Sequence, residues 1–288
     1  MTDLLKQLQS LKTSSAQQAS FLFDLKTSAR IDKDIIFTLG INGLEELQQI
    51  DDTLLLFHSE LFTESFANTH CFQETRSASV HSLILEELTK VTRLISPHFL
   101  NSACHKIIEF LIRFYQYHVV CMKEILYAFL PFHCSKFFIR LLQVLNLDHF
   151  WGFLGRHQHT GYVMQRMDVV KQCGHETKLL QGLMVTAEFS EIHLKFVVAV
   201  VIELVNLVSK LNENLMLVVM GFVNKLVSNK GDARIMGMCI VAHVGRKHVF
   251  SPQYLHGIIE DVLDTSGEVM EKEVFLFNLL VRLHVRSN

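Results

Sequence analysis

His157, His159, Cys173 and His175 offer imidazole and thiolate donors of the kind that zinc accepts in a four-coordinate site. Their arrangement, HxH followed later by CxH, lacks the paired CxxC or the HExxH spacing of a dedicated zinc motif, so a His-rich polar loop is the expectation here. Cys104-His105 and Phe132-His133-Cys134 place a thiol beside an imidazole, the raw material of nucleophilic catalysis. Adjacent side chains diverge on a helix or a strand, however, and no orienting carboxylate accompanies either pair. The acidic pairs Glu45-Glu46, Asp51-Asp52, Glu86-Glu87 and Glu260-Asp261 read as solvated helix faces or as charges favouring a helix N-terminus. GINGLEEL at 40–47 has neither the GxGxxG nor the GxxxxGK[ST] phosphate loop, and its residues read as helical core with a turn. We therefore assign no catalytic, cofactor-binding or metal-ligating residue and expect a protein that is not an enzyme.

Charge narrows the partners. Lys and Arg total 27 against 29 Asp and Glu, a net charge of −2, so no global positive field draws in a phosphate backbone. Arg246-Lys247-His248 and Arg282-His284-Arg286 are short clusters, expected at helix ends where cations answer the local dipole, and direct RNA contact by them is left open. The 6 cysteines contain no CxxC and are too sparse for a disulfide scaffold. The opening MTDLLKQLQSLKTSS interrupts its apolar positions with polar ones, unlike a secretory signal, and a reducing intracellular setting is expected.

The elements that must position these residues are helical. With 49% hydrophobic and only 19% charged residues, the chain has ample material for a core. Apolar residues recur at three- and four-residue spacing over 78–95, where Val80, Leu83, Ile84, Leu88, Val91, Leu94 and Ile95 share one face, and Ser96-Pro97 closes the run. Helices are expected over 101–116, 119–130 and 134–147, with shorter stripes around Gly40 and Gly43 in 31–50 and a helix at 53–66 started by Asp51 and Asp52. Periodicity fades over 148–176, where DHFWGFLGRHQHTG carries the sole Trp151, and an irregular connection or insertion is expected. It returns at 176–188, 190–210, 213–228, 232–245, 252–263 and 268–285, with Pro252 in a first helical turn.

The window 194–210 tests the membrane alternative. Its longest uninterrupted apolar run is 196–202, far short of the roughly 20 residues a spanning helix needs. Lys195, Glu203, Asn206 and Lys210 fall on one stripe, the wet edge of a nearly buried helix. Helix pairs of about 40 residues cannot bury both apolar faces alone, and stacking each on its neighbour supplies the missing surface. The expected fold is all-α, a helical-repeat α-solenoid, with a block at 1–147, the Gly/His-rich connection at 148–176 and a second block at 177–288.

MTDLLKQLQSL at 1–11, FLFDLKTSARIDKDIIFTLGINGLEEL at 21–47, LISPHFLNSACHKIIEFLIRFYQYH at 94–118 and ILYAFLPFHCSKFFIRLLQVLNL at 125–147 carry a family resemblance. In order and spacing these stretches resemble the N-terminal region of the HEAT repeat-containing protein 1 family, large nucleolar scaffolds of the small-subunit processome. The likeness is looser over 179–263, where GDARIMGMCIVAHV at 231–244 looks like a later helix of that family. The resemblance implies a non-enzymatic scaffold in the nucleus and nucleolus that assists small-subunit rRNA processing and rDNA transcription. Processome proteins are its implied partners, with no membrane and no small-molecule substrate. A cytosolic protein-binding adaptor is the alternative, and a zinc-dependent hydrolase built on 157–175 a remote one.

Overall fold

Amphipathic periodicity becomes helix throughout: among the described residues the regular elements are α-helices and 3₁₀ turns, with no strand. The computed structural model describes residues 19–55, 57–70, 78–209, 211–229 and 231–265. The chain divides into two compact units, Met1–Met164 and Gln165–Asn288.

In the first unit α1 (Leu25–Ser28) follows a bent segment, and Asp32 then caps α2 (Lys33–Ile50) by accepting the Lys33 N–H. Rather than two short stripes around a turn, α2 runs unbroken through Gly40 and Gly43, because both glycines face α5 (Ser102–Tyr115) at close range. A Cβ at Gly43 would stand 2.7 Å from the Ala103 carbonyl oxygen, and one at Gly40 would stand 2.5 Å from the Phe110 ring. The bare α-carbons thus set the approach of the two helices.

The helix expected at 53–66 is replaced by 3₁₀ turns at Asp52–Leu54 and Glu60–Phe62 and by α3 (Glu64–His70). Asp51 and Ser59 each accept an N–H two residues on, which restarts the chain twice within that stretch. Then come α4 (Ala78–Ile95), the 3₁₀ turn Ser96–His98 around Pro97, and α5. All of α5 except Ser102, Lys106 and Arg113 is buried, so this helix is apolar nearly all round and forms the axis of the unit. Gln116, at φ 53°, ends it in the left-handed region, and Cys121, at φ −118° and ψ 29°, splits the next expected helix into α6 (Tyr117–Val120) and α7 (Met122–Phe129). Tyr117 is tied to α4: Thr92 spends its proton on the Leu88 carbonyl at 2.6 Å, so the Tyr117 hydroxyl donates to Thr92 Oγ1 at 2.5 Å.

The unit closes with α8 (Lys136–Val144), a 3₁₀ turn at His149–Leu154 and α9 (Gly155–Thr160). Much of the 148–176 stretch expected to be irregular is therefore helical in short pieces. Asp148 caps the turn through the Trp151 N–H, Trp151 itself is fully buried, and Gly161 at φ 73° ends α9.

The second unit begins at a capping box, with Gln165 and Asp168 exchanging side-chain and main-chain hydrogen bonds ahead of α10 (Arg166–His175). It continues through α11 (Thr177–Thr186), α12 (Glu191–Leu207), α13 (Glu213–Val227), α14 (Asp232–Gly245) and α15 (Pro252–Thr265). These match the expected spans to within three residues, while the helix expected at 268–285 lies outside the described residues. Alternate helices share a layer: α10, α12 and α14 pack side by side, as do α11, α13 and α15. This is the layered stacking of helical hairpins in which each buries the apolar face its neighbour leaves open. Among the described residues no helix is long and apolar enough to cross a membrane.

Candidate interaction surfaces

Several of the residues picked out for chemistry have a structural occupation, while Arg282, His284 and Arg286 lie outside the described residues. Cys104 is fully buried with its thiol against the Ile95 carbonyl, and burial pushes its pKa well up. His105 donates from Nε2 to the Phe99 carbonyl at 2.7 Å, and burial lowers its pKa. His133 is buried with Nδ1 3.2 Å from the Leu130 carbonyl, whereas Cys134 is exposed. Of the zinc candidates, His157 and His159 lie on α9 of the first unit and Cys173 and His175 on α10 of the second. His157 Nδ1 meets the Tyr162 carbonyl at 3.0 Å, and burial raises the Cys173 thiol to about 12, which disfavours the thiolate that a metal needs. Among the described residues no three His, Cys, Asp or Glu side chains group to hold a metal ion.

Five members of the acidic pairs meet cationic or imidazole partners. Glu46 pairs with Lys106 at 2.5 Å, Asp51 faces His98 at 3.0 Å, Glu86 and Glu87 share Lys90, and Glu260 meets His256 at 3.1 Å. In the cluster Arg246-Lys247-His248, Lys247 and His248 reach back to the preceding repeat. Lys247 Nζ donates to the carbonyls of Val205, Asn206 and Val208 at 2.6–2.8 Å and so caps the C-terminus of α12. His248 Nε2 accepts the Leu211 N–H at 3.3 Å. The buried Arg234 does the same for α13, donating from Nε to the Val227 and Asn229 carbonyls.

A regularity emerges from these contacts. Arg166 to Glu203, Lys225 to Glu188, His243 to Asn206 and Leu211 to His248 are each separated by 37 residues. The polar stripe read on α12 is thus divided between its neighbours, Glu203 meeting α10 and Asn206 meeting α14. A constant offset between contacting residues is what a stack of like repeats produces, since each repeat sees only the next.

Among the described residues, two surface features stand apart from this stacking. On the second unit, Gln181, Met184 and Val185 of α11 face Leu217, Val218 and Gly221 of α13 across a groove of about 430 Å³. Leu217 is 72% exposed and Val185 64%, and the ion pair of Lys225 with Glu188 closes one end. On the first unit, the bent segment 19–24 lies against α5 and α8. Glu109, with no exposed surface, accepts the Ser20 hydroxyl at 2.8 Å and the main-chain N–H groups of Phe21 and Leu22 at 2.7 and 2.9 Å. Arg140 donates to the Phe21 and Phe23 carbonyls at 3.1 and 2.9 Å, and Arg113 holds Ser28. The Phe21 ring meets His105 edge-on at 5.3 Å and Phe99 at 6.4 Å. Sequence reasoning missed Glu109; its signal was a lone carboxylate within the apolar run Ile107-Ile108-Glu109-Phe110-Leu111-Ile112, a position that demands a buried partner.

With the helical layers and their register established, similarity to known proteins becomes interpretable. Human HEAT repeat-containing protein 1 is 23% identical over 295 residues, which cover 93% of this chain and 14% of the human protein. The chain is similar to the HEAT repeat-containing protein 1 family. The Caenorhabditis elegans homolog of that protein is 34% identical over 162 residues, covering 51% of this chain and 9% of its own length. U3 small nucleolar RNA-associated protein 10 of Schizosaccharomyces pombe is 32% identical over 142 residues, covering 48% and 8%. The chain therefore spans 14% or less of each of these relatives. No family model matches the sequence. The all-α helical-repeat class expected from periodicity agrees with the helices, and the HEAT-like α-solenoid that the resemblance implied agrees with the relatives.

Proposed function

We propose that the chain is a non-enzymatic helical scaffold of ribosome biogenesis, located in the nucleolus, that assists small-subunit rRNA processing and rDNA transcription through contacts with processome proteins. The observation that carries this reading is the layered register of α10–α15, whose polar residues are spent on joining repeats. Similarity to a U3 small nucleolar RNA-associated protein supplies the biological setting. Lys247, from the basic cluster 246–248, is engaged on a helix C-terminus, and the net charge is −2, which favours protein over RNA as the direct partner. Tagged chain at endogenous level, purified under conditions that preserve assemblies, should bring down small-subunit processome proteins from nucleolar extract. Their reproducible absence with a folded, nucleolar bait counts against the role. A cytosolic bait with a different partner set replaces it with the adaptor reading.

A further inference from the structure

Segment 19–24 belongs to no helical layer, yet it is gripped in a manner that reads its main chain. Glu109 accepts two successive N–H groups and one hydroxyl, and Arg140 donates to two carbonyls. Phe21, only 2% exposed, supplies the one large side chain that is fully enclosed. The grip is also incomplete. Leu22 is 37% and Leu25 69% exposed, and an open cleft of about 670 Å³ runs beside Ala19, Ser20, Phe23 and Leu25 with Arg140 and Gln143 on its wall.

We propose that this seat on α5 and α8 is a peptide-recognition site, with the chain's own strap as resident occupant, and that it takes in its place a non-helical partner-protein segment with serine followed by a large aromatic residue. The argument is one of exchange. Vacating the seat takes three donors from the Glu109 carboxylate and uncovers the apolar surface that Phe21 buries, both of which are unfavourable. A replacement segment restores each of those hydrogen bonds, because two of the three donors are main-chain groups common to any peptide. The apolar surface the strap leaves exposed, and the adjoining cleft, are where a longer or better-fitting segment gains over it. The site stands independently of the ribosome-biogenesis reading, since the binding experiment uses purified components and the co-purification does not.

The test uses the full-length chain carrying Ser20→Ala and Phe21→Ala, which weakens the strap and leaves Glu109 and Arg140 in place. A fluorescent peptide with the sequence of residues 19–28, ASFLFDLKTS, should bind this variant at least ten-fold more tightly than it binds the unaltered chain, as read by anisotropy. Binding should vanish when Arg140→Ala is added, or when serine and the first phenylalanine of the peptide become alanine. Failure of the peptide to bind a variant of unchanged helicity and monomeric mass overturns the proposal and makes the strap a fixed part of the fold. Dimers formed without peptide uptake overturn it in favour of strap exchange between two copies. If the variant does not fold, hydrogen exchange on the unaltered chain decides: the Phe21 and Leu22 amides should exchange at least ten-fold faster than those of α5, and equal protection refutes the idea.

Discussion

Gly43 shows how a residue without a side chain can carry specificity. Its α-carbon lies where a methyl group would meet the Ala103 carbonyl oxygen at 2.7 Å, and a backbone atom inside a buried helix cannot step aside. Gly43→Ala should therefore cost roughly 1–3 kcal/mol in urea unfolding through overpacking. Gly152→Ala, where an added Cβ meets nothing within 4 Å, should be close to neutral. His118 makes a second residue-scale prediction. It is buried with Nδ1 lacking a partner, and burial lowers its pKa to about 4 from an ordinary 6.5. The folded state thus binds its proton less readily than the unfolded chain. The stabilisation from keeping it neutral is complete above pH 6.5 and is lost as pH falls from 6.5 towards 4. The full effect is about 3 kcal/mol. His118→Phe should flatten that part of the stability-versus-pH curve measured by chemical denaturation.

At the scale of elements, the helix ends do the joining. Lys247 reaches three carbonyls at the C-terminus of α12, and Arg234 reaches the last carbonyl of α13 and that of Asn229 just beyond it, so each of these two helices is finished by a cation from α14 or the turn after it. A helix terminus leaves carbonyls without intrahelical partners, and a neighbour's ammonium answers both those groups and the dipole. Lys247→Ala should lower stability by about 1–2 kcal/mol, with hydrogen exchange quickening first at the C-terminal turn of α12. Uniform loss of protection across the second unit, without that local signature, would show that Lys247 does not act as a cap. The same logic explains where expected helices broke. Asp51 and Ser59 capped new turns inside 53–66, and the backbone at Cys121 divided 119–130 into α6 and α7, because local side-chain acceptors and a single dihedral outweigh apolar spacing over short runs.

For the molecule as a whole, the burial of cysteines in both units links chemistry to folding. Cys104, Cys121 and Cys173 are buried, and burial raises Cys121 and Cys173 to about 12, while Cys134 is exposed. Iodoacetamide at pH 8 should label Cys134 in the native protein, with Cys104, Cys121 and Cys173 labelled only at the rate at which their surroundings unfold. Peptide mapping of the alkylated chain gives the order, and early labelling of Cys173 would reopen a thiolate role for it. A scaffold should show this pattern, with its thiols used as small apolar side chains and its polar groups turned to holding elements together.

Apolar spacing by itself determined the helical class and the spans of α4 and α12–α14, since amphipathic period and proline placement are local properties of the chain. Tertiary structure alone decided three things that depend on residues distant in sequence. It set Gly40 and Gly43 as contact points rather than a turn, it made Glu109 the acceptor for a segment 87–89 residues away, and it spaced the links of the second unit at 37 residues. A buried carboxylate announces that it needs donors, but only packing says which backbone provides them.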